Sequence, residues 1–421
     1  MITPAPASVW VVDVRDARVS FPGLEDKVFL DAATVSLAPV QACEAIEGFL
    51  ERALLCPERD ASTHHIAMDE LRGAAVHEAA ILLGAGEDEI ALVESTSHGL
   101  SIAARAIGLG PRDNVVIDDL EFLQVAIPWT KLVEEGALGE VRMARNVSGA
   151  VTIDSIAEQM DAHTRAVVVS SVQWSTGYRL DLAALSGLCR REGVFLVVDA
   201  VQELGALRMD VRLTPVDLLV AGGHKWLNAP FGCGILYVGR ETQPQLAQPT
   251  WGYLGLEQPE GGWGTYFSTP SISPMRPYEF VPTAKRFELN GTSNYPGAVG
   301  LGASLALANS VGAEGVEQRV LELAGLVREE LEAAGVRIVS RPEPEARSGI
   351  TTFTVSGDPA EDEALLQQLL DRRVYVSRRY TSYTGGIRVS THYYNDETDV
   401  ERLAVAVRAA LPRRHAAVSA R

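Results

Sequence analysis

The stretch Val194-Phe195-Leu196-Val197-Val198-Asp199, read with Asp217-Leu218-Leu219-Val220-Ala221-Gly222-Gly223-His224-Lys225, decides the architecture. Each is an apolar run without polar and apolar alternation, the pattern of a strand covered on both faces, as in parallel sheets. Each also delivers an ionisable residue where it leaves the sheet, and ligands in such sheets bind at that edge. An aspartate at such a place must find a cationic partner. A lysine released from a glycine turn is an amine placed to capture a carbonyl covalently.

Outward from this pair the chain keeps a strand and helix rhythm. Val28-Phe29-Leu30-Asp31 reads as a brief strand, and Pro39 to Leu54 as a helix with proline near its first turn. Helices are expected at 71–83, 98–107, 125–135, 153–160 and 182–192. Strands are expected at 89–93, 114–117, 141–143 and 166–172. Gly234 to Val238 reads as a strand turned back from a glycine-rich bend. The expected fold is α/β, a large doubly wound, mainly parallel, seven-stranded sheet domain over 28–285. Residues 1–27 read as an arm packing on a smaller domain. Residues 240–285 are rich in proline, glycine and aromatics and lack sustained periodicity; a segment of that length either covers a site or is a surface insertion. A smaller α+β C-terminal domain is expected over 286–421, with one long helical pattern from Ala298 to Ala334.

The chain has 421 residues, enough for large cores and for two or three domains. A formal net charge of -18 argues against nucleic acid or an anionic membrane as partner. The opening residues MITPAPASVW lack a basic segment followed by an apolar one, and no long uncharged stretch follows, so a cytoplasmic protein is expected. Cys43, Cys56, Cys189 and Cys233 are widely separated and carry no metal-ligand spacing, which predicts neither disulfides nor a metal site.

An acid and an amine at neighbouring strand ends suggest a cationic ring nitrogen to hold and a carbonyl to bind, the needs of pyridoxal 5'-phosphate. The remaining needs have candidates. Ser95-Thr96-Ser97-His98-Gly99 lies between a strand and a helix start, where backbone N–H groups and hydroxyls converge on an anion, although the same residues also read as an ordinary N-cap. His224 could donate to the same phosphate. Phe122 leaves the next strand, where it can cover the ring, and Gln173 or Trp174 leaves the one after, at the ring's edge. Gln202 is placed for the ring hydroxyl. Lys225 would serve as general base once a substrate amine displaces it.

These residues resemble the class V aminotransferase group of the PLP-dependent transferase fold (fold-type I), in its isopenicillin N epimerase-like and cysteine desulfurase-like branch. The resemblance runs from Phe29-Leu30-Asp31-Ala32-Ala33 to Tyr394-Asn395. It rests on Ser95 to Gly99, Glu121-Phe122 with Pro128-Trp129, Asp199 to Gln202, Gly223 to Trp226, Arg286 to Asn294, and Arg388 to Asn395. It implies Lys225 as the Schiff-base lysine, Asp199 as the pyridinium partner, and Thr96, Ser97 and His224 as phosphate ligands. It further implies that Thr292 reaches the neighbouring subunit's cofactor in a homodimer with shared sites. Arg388 would fork onto the substrate α-carboxylate, with Ala33 and Thr34 beside it.

The departures carry information too. Cysteine desulfurases place a nucleophilic cysteine shortly before that arginine, whereas this chain reads Ser377-Arg378-Arg379-Tyr380-Thr381-Ser382-Tyr383-Thr384 there and has no cysteine after Cys233. Phe122 stands for the stacking histidine of desulfurases, Trp174 for an asparagine, and Gly222 for a frequent serine. The expected activity proceeds through an external aldimine of an α-amino acid. Carbon–sulfur lyase chemistry, β-elimination from an S-substituted cysteine, comes first. Epimerisation, transamination or decarboxylating deamination stand as alternatives from the same family, and a non-catalytic PLP-fold binding protein as one from another class.

Overall fold

The computed structural model describes residues 13–411. Its centre is a seven-stranded sheet. After the short strand β1 (Val28–Phe29), the sheet strands are β2 (Ile90–Val93), β3 (Asn114–Asp118), β4 (Glu140–Ala144), β5 (Thr164–Ser170), β6 (Phe195–Asp199), β7 (Leu218–Gly222) and β8 (Gly234–Val238). Their order is β2-β8-β7-β6-β5-β3-β4. Neighbours from β7 to β4 run parallel, and β8 runs antiparallel to both β7 and β2. The glycine-rich bend therefore does reverse the chain.

Continuous apolarity has a direct cause. Leu196, Val198, Leu219 and Ala221 pack on one face with the helices Gly73–Leu83 and Leu182–Glu192, while Val197, Leu218 and Val220 pack on the other with Thr96–Ala106 and Leu123–Glu134. Helices cover both faces, so apart from the half-buried Phe195 these strands are shut off from water. The helix Thr96–Ala106 comes so near that a Cβ on Gly99 would lie 2.4 Å from Val220 Cγ1.

The second sheet has the order β12-β13-β10-β9, from β9 (Arg337–Ile338), β10 (Ile350–Thr354), β12 (Ser377–Thr381) and β13 (Thr384–Ser390), and is antiparallel throughout. The helices Ala313–Ala333, Pro359–Asp371 and Glu397–Ala410 cover it around Leu323, Phe353, Leu369, Val389 and Leu403.

The expected domain boundaries shift at both ends. β1 pairs in parallel with β11 (Val374–Tyr375), placing 28–29 with the smaller domain. Tyr295–Val311 packs instead on Val40–Leu55 and Gly73–Leu83 of the larger one. Small residues explain this: a Cβ on Gly300 would lie 2.8 Å from Ile46 Cδ1 and one on Gly302 3.0 Å from the Ala75 nitrogen. The single helix expected from Ala298 to Ala334 breaks at Gly312, whose φ of 88° is left-handed and open to glycine.

Of the N-terminal arm, residues 1–12 lie outside the described residues. Its remainder docks by Phe21 between Tyr393 and Tyr394, with ring centroids 5.8 and 4.7 Å away, and by Arg18 donating to Asp399 at 2.8 Å. Among the described residues no helix is long and apolar enough to cross a membrane.

Candidate active site

The C-terminal ends of β3, β5, β6 and β7 converge on a cavity of about 320 Å³. Ala33, Thr34, Ser95, Thr96, Ser97, Phe122, Trp174, Asp199, Gln202, His224, Lys225 and Arg388 all line it. Of the site residues expected from sequence, only Gln173 and Thr292 do not.

Asp199 is buried at the end of β6, where its carboxylate accepts the Val201 N–H at 2.9 Å. Burial pushes its pKa up to about 6, against the opposing pull of that N–H and of the Lys225 charge. Lys225 follows the Gly222–Gly223 turn. Burial pulls its ammonium down to about 8; Asp199 opposes this, and the positive charges of Arg388 and Arg379 add to it. An acid costly to ionise alone and an amine ready to lose its proton are complementary to a cationic ring and a carbonyl.

Ser95 caps the helix Thr96–Ala106, its Oγ accepting the His98 N–H at 3.1 Å. The N–H groups of Thr96 and Ser97 then have no intrahelical acceptor and, with the helix dipole, favour an anion. Thr96 Oγ1 is buried without a hydrogen-bond partner. A Cβ on Gly222 would lie 2.8 Å from that oxygen, so glycine keeps the hydroxyl accessible where a serine would crowd it. His224 stacks on Phe231 with centroids 5.4 Å apart, and burial lowers its pKa to about 4, which leaves a neutral ring.

Phe122 remains 45% exposed, an unusual state for a residue at a sheet edge, and meets Trp174 edge-on at 5.3 Å. Gln202 donates to the Ala33 carbonyl at 3.0 Å and accepts from Trp226 Nε1 at 2.9 Å, which fixes its amide. Arg388 is buried in the small domain. It donates to the Trp174 carbonyl (2.8 Å), to Thr34 Oγ1 (2.6 Å) and to Asp31 (3.3 Å), and its Nε has no partner. Burial is the main reason its pKa falls to about 10.

Gln173 is corrected in position. Its amide donates to Asp118 Oδ2 at 3.0 Å, behind the cavity wall. Asp118 is buried there and Glu121 half-buried beside it; burial raises both carboxyl pKa values, and the proximity of Asp118 raises that of Glu121 further. Glu121 accepts from Ser170, which does line the cavity. The segment 240–285, read as a possible cover, contributes no lining residue to this cavity. It folds along the sheet edge, where the Ala247 N–H donates to the Ala106 carbonyl at 2.8 Å and Thr250 donates to that of Glu288 at 3.0 Å.

Sequence reasoning missed Gln124, Ser170, Val201 and Arg379 among the lining residues. Arg379 had a findable signal. Ser377 is paired with Arg388 across the β12–β13 hairpin, and Arg379 lies two positions further on β12, hence on the same face.

The cavity fits pyridoxal 5'-phosphate on its own features: an unpartnered buried hydroxyl at a helix N-terminus, an exposed aromatic wall, and an amine and a carboxylate in the same space. Comparison with known proteins agrees. The aminotransferase class-V family model matches residues 28–403. A probable cysteine desulfurase of Methanothermobacter thermautotrophicus is 27% identical over 92% of this chain and 96% of its own length. Isopenicillin N epimerase of Amycolatopsis lactamdurans is 28% identical over 77% of this chain and 81% of its own. Among solved structures, the cystine C-S lyase C-DES in complex with its product cysteine persulfide superposes with a TM-score of 0.81 at 23% identity, covering 92% of this chain and 99% of the other. The cofactor is pyridoxal 5'-phosphate, and the fold is that of the fold-type I enzymes. With the family model spanning both sheets and every strand that builds the cavity, the chain belongs to the class V aminotransferase family.

Proposed function

We propose that this enzyme is a carbon–sulfur lyase that eliminates the thiol from an S-substituted cysteine. The observation that carries this reading is the β12–β13 hairpin: it faces the cavity with Arg379 and Arg388 and has no cysteine, so a nucleophilic sulfur for persulfide chemistry is missing while the proton-moving lysine is kept.

Thr96, Ser97 and His224 would hold the cofactor phosphate, Lys225 its aldehyde carbon, Asp199 its ring nitrogen and Phe122 its ring face. When bound, the cofactor supplies an electron sink for the charge left at the substrate α-carbon. Arg388 orients the substrate by its α-carboxylate, so that the α-proton meets the Lys225 amine. Lys225 takes that proton, and its lowered pKa suits transfer near neutral pH. Asp199 would stand ionised beside the ring nitrogen of the bound cofactor and keep the sink effective. Loss of the α-proton and of the Cβ–S bond then yields a thiol and, after hydrolysis of the remaining three-carbon fragment, pyruvate and ammonia.

The test is a panel of S-alkyl, S-aryl and S-carboxyalkyl cysteines offered to the purified holoenzyme. Thiol and pyruvate released in equal amounts from at least one class support the reading, and Lys225→Ala should abolish the release. Loss of a sulfur atom to a sulfur acceptor with alanine as coproduct would contradict it.

A further inference from the structure

Arg379 is the one cation of the cavity that the chemistry above leaves without a task. Its guanidinium donates to Thr34 Oγ1 at 3.1 Å and to the Arg378 carbonyl at 2.9 Å, and among the described residues no carboxylate oxygen lies within 4.0 Å of it. Arg388 donates to the same Thr34 oxygen at 2.6 Å. Two guanidinium groups thus converge on one neutral hydroxyl at the cavity wall. The nearby acid is already engaged: Asp31 Oδ1 takes Arg388, the Thr34 hydroxyl and the Ser377 hydroxyl, at 3.3, 2.9 and 2.9 Å.

Like charges gathered in a half-buried space are unfavourable unless an anion joins them, and arginine is the residue best shaped to fork onto a planar one. The cofactor phosphate does not provide that anion, because its cradle at Thr96 and His224 is on the sheet edge around Gly222, whereas both arginines stand on the small-domain hairpin. One α-carboxylate accounts for Arg388. Arg379 is displaced from Arg388 by two residues along the hairpin, about 7 Å of strand. Both guanidinium groups reach the same cavity wall, so a substrate held at Arg388 by its α-carboxylate can present a second acid group to Arg379.

We propose that Arg379 is a specificity residue that binds a second anionic group on the substrate, a carboxylate or sulfonate carried by its side chain. The substrate class becomes an amino acid with an acidic side-chain terminus, which under the lyase reading is a cysteine whose sulfur bears an acidic substituent. The cysteine part of this statement rests on that reading; the acidic terminus does not.

The experiment measures dissociation constants by the change in cofactor absorbance as the holoenzyme is titrated with S-carboxymethylcysteine and S-carboxyethylcysteine, and with the neutral S-methylcysteine and S-propylcysteine. Pyruvate release is followed in parallel. The wild type is expected to bind the acidic members about tenfold or more tightly, the size of a charge-assisted contact. Arg379→Gln should bring the ratio of the two classes to about one, and Arg379→Lys should restore part of it. An Arg379→Gln variant that weakens both classes equally would overturn the proposal, because Arg379 would then grip the α-carboxylate. A wild type without preference would overturn it as well. Acidic selectivity that depends on Arg379 but comes without pyruvate would uphold this inference and remove the lyase reading.

Discussion

Asp199 and Lys225 are each in the charge state that is harder to sustain where they sit, and this has a measurable consequence in the protein without cofactor. The folded pKa of Asp199, about 6, lies above the ordinary 3.8. Between those values the folded state holds the proton more tightly than the unfolded one, so Asp199 costs stability as pH rises from about 4 to about 6. The Asp199→Asn apoprotein lacks this cost. Its stability relative to wild type should therefore climb across that window, by up to about 3 kcal/mol, and stay level above it. Denaturation midpoints at a series of pH values check this. In the holoenzyme the sign reverses in effect, because the same carboxylate then serves the ring nitrogen. Asp199→Asn should lower turnover about 10²–10³-fold, the size of a lost preorganised charge. Both residues were legible in sequence because each ended an apolar run. The Asp118–Glu121 pair was not, since nothing in Asp-Asp-Leu-Glu announces that Asp118 is buried against Gln173 or that Glu121 engages Ser170. Gln173 was misplaced for the same reason: its partner was invisible.

Elements whose identity rests on burial were legible, and those shaped by close approach or by polar surroundings were not. β6 and β7 read clearly because helices cover both their faces. The helix Ala61–Glu70, with the sequence ASTHHIAMDE, gave no signal: it buries only Met68 and has no apolar stripe to detect. β12 carries little strand signal because Ser-Arg-Arg-Tyr-Thr is polar, being turned to the cavity and to solvent rather than to a core. The helix Thr96–Ala106 packs closely on β7 at Gly99. Gly99→Ala should force the helix away from Val220, destabilise the fold by about 1–3 kcal/mol and loosen cofactor binding, because the phosphate cradle is that helix's first turn. Thermal melts and a cofactor titration on the variant report both effects. Unchanged cofactor affinity would separate the cradle from the helix's position.

For the whole molecule, two domains meet over the cavity: the sheet edge supplies the cofactor groups, and the β12–β13 hairpin brings Arg379 and Arg388. Ser382 donates to the Asp119 carbonyl at 2.6 Å, tying the hairpin tip to the larger domain beside Phe122. Thr292 and the 240–285 segment lie outside their own chain's cavity. We propose that Thr292 completes the site of a second copy in a homodimer. Sedimentation of the holoenzyme should then give twice the chain mass, and Thr292→Ala should weaken cofactor retention about tenfold without dissociating the dimer, the loss of one charge-assisted hydrogen bond. A monomer with full cofactor affinity would contradict this. The central claim, that the Lys225 proton transfer leads to loss of the thiol, is tested most directly by following S-carboxymethylcysteine with the holoenzyme in deuterium oxide by nuclear magnetic resonance. The account predicts equal growth of pyruvate and the free thiol as substrate disappears; substrate that persists with deuterium at its α-carbon, and no pyruvate, would contradict it.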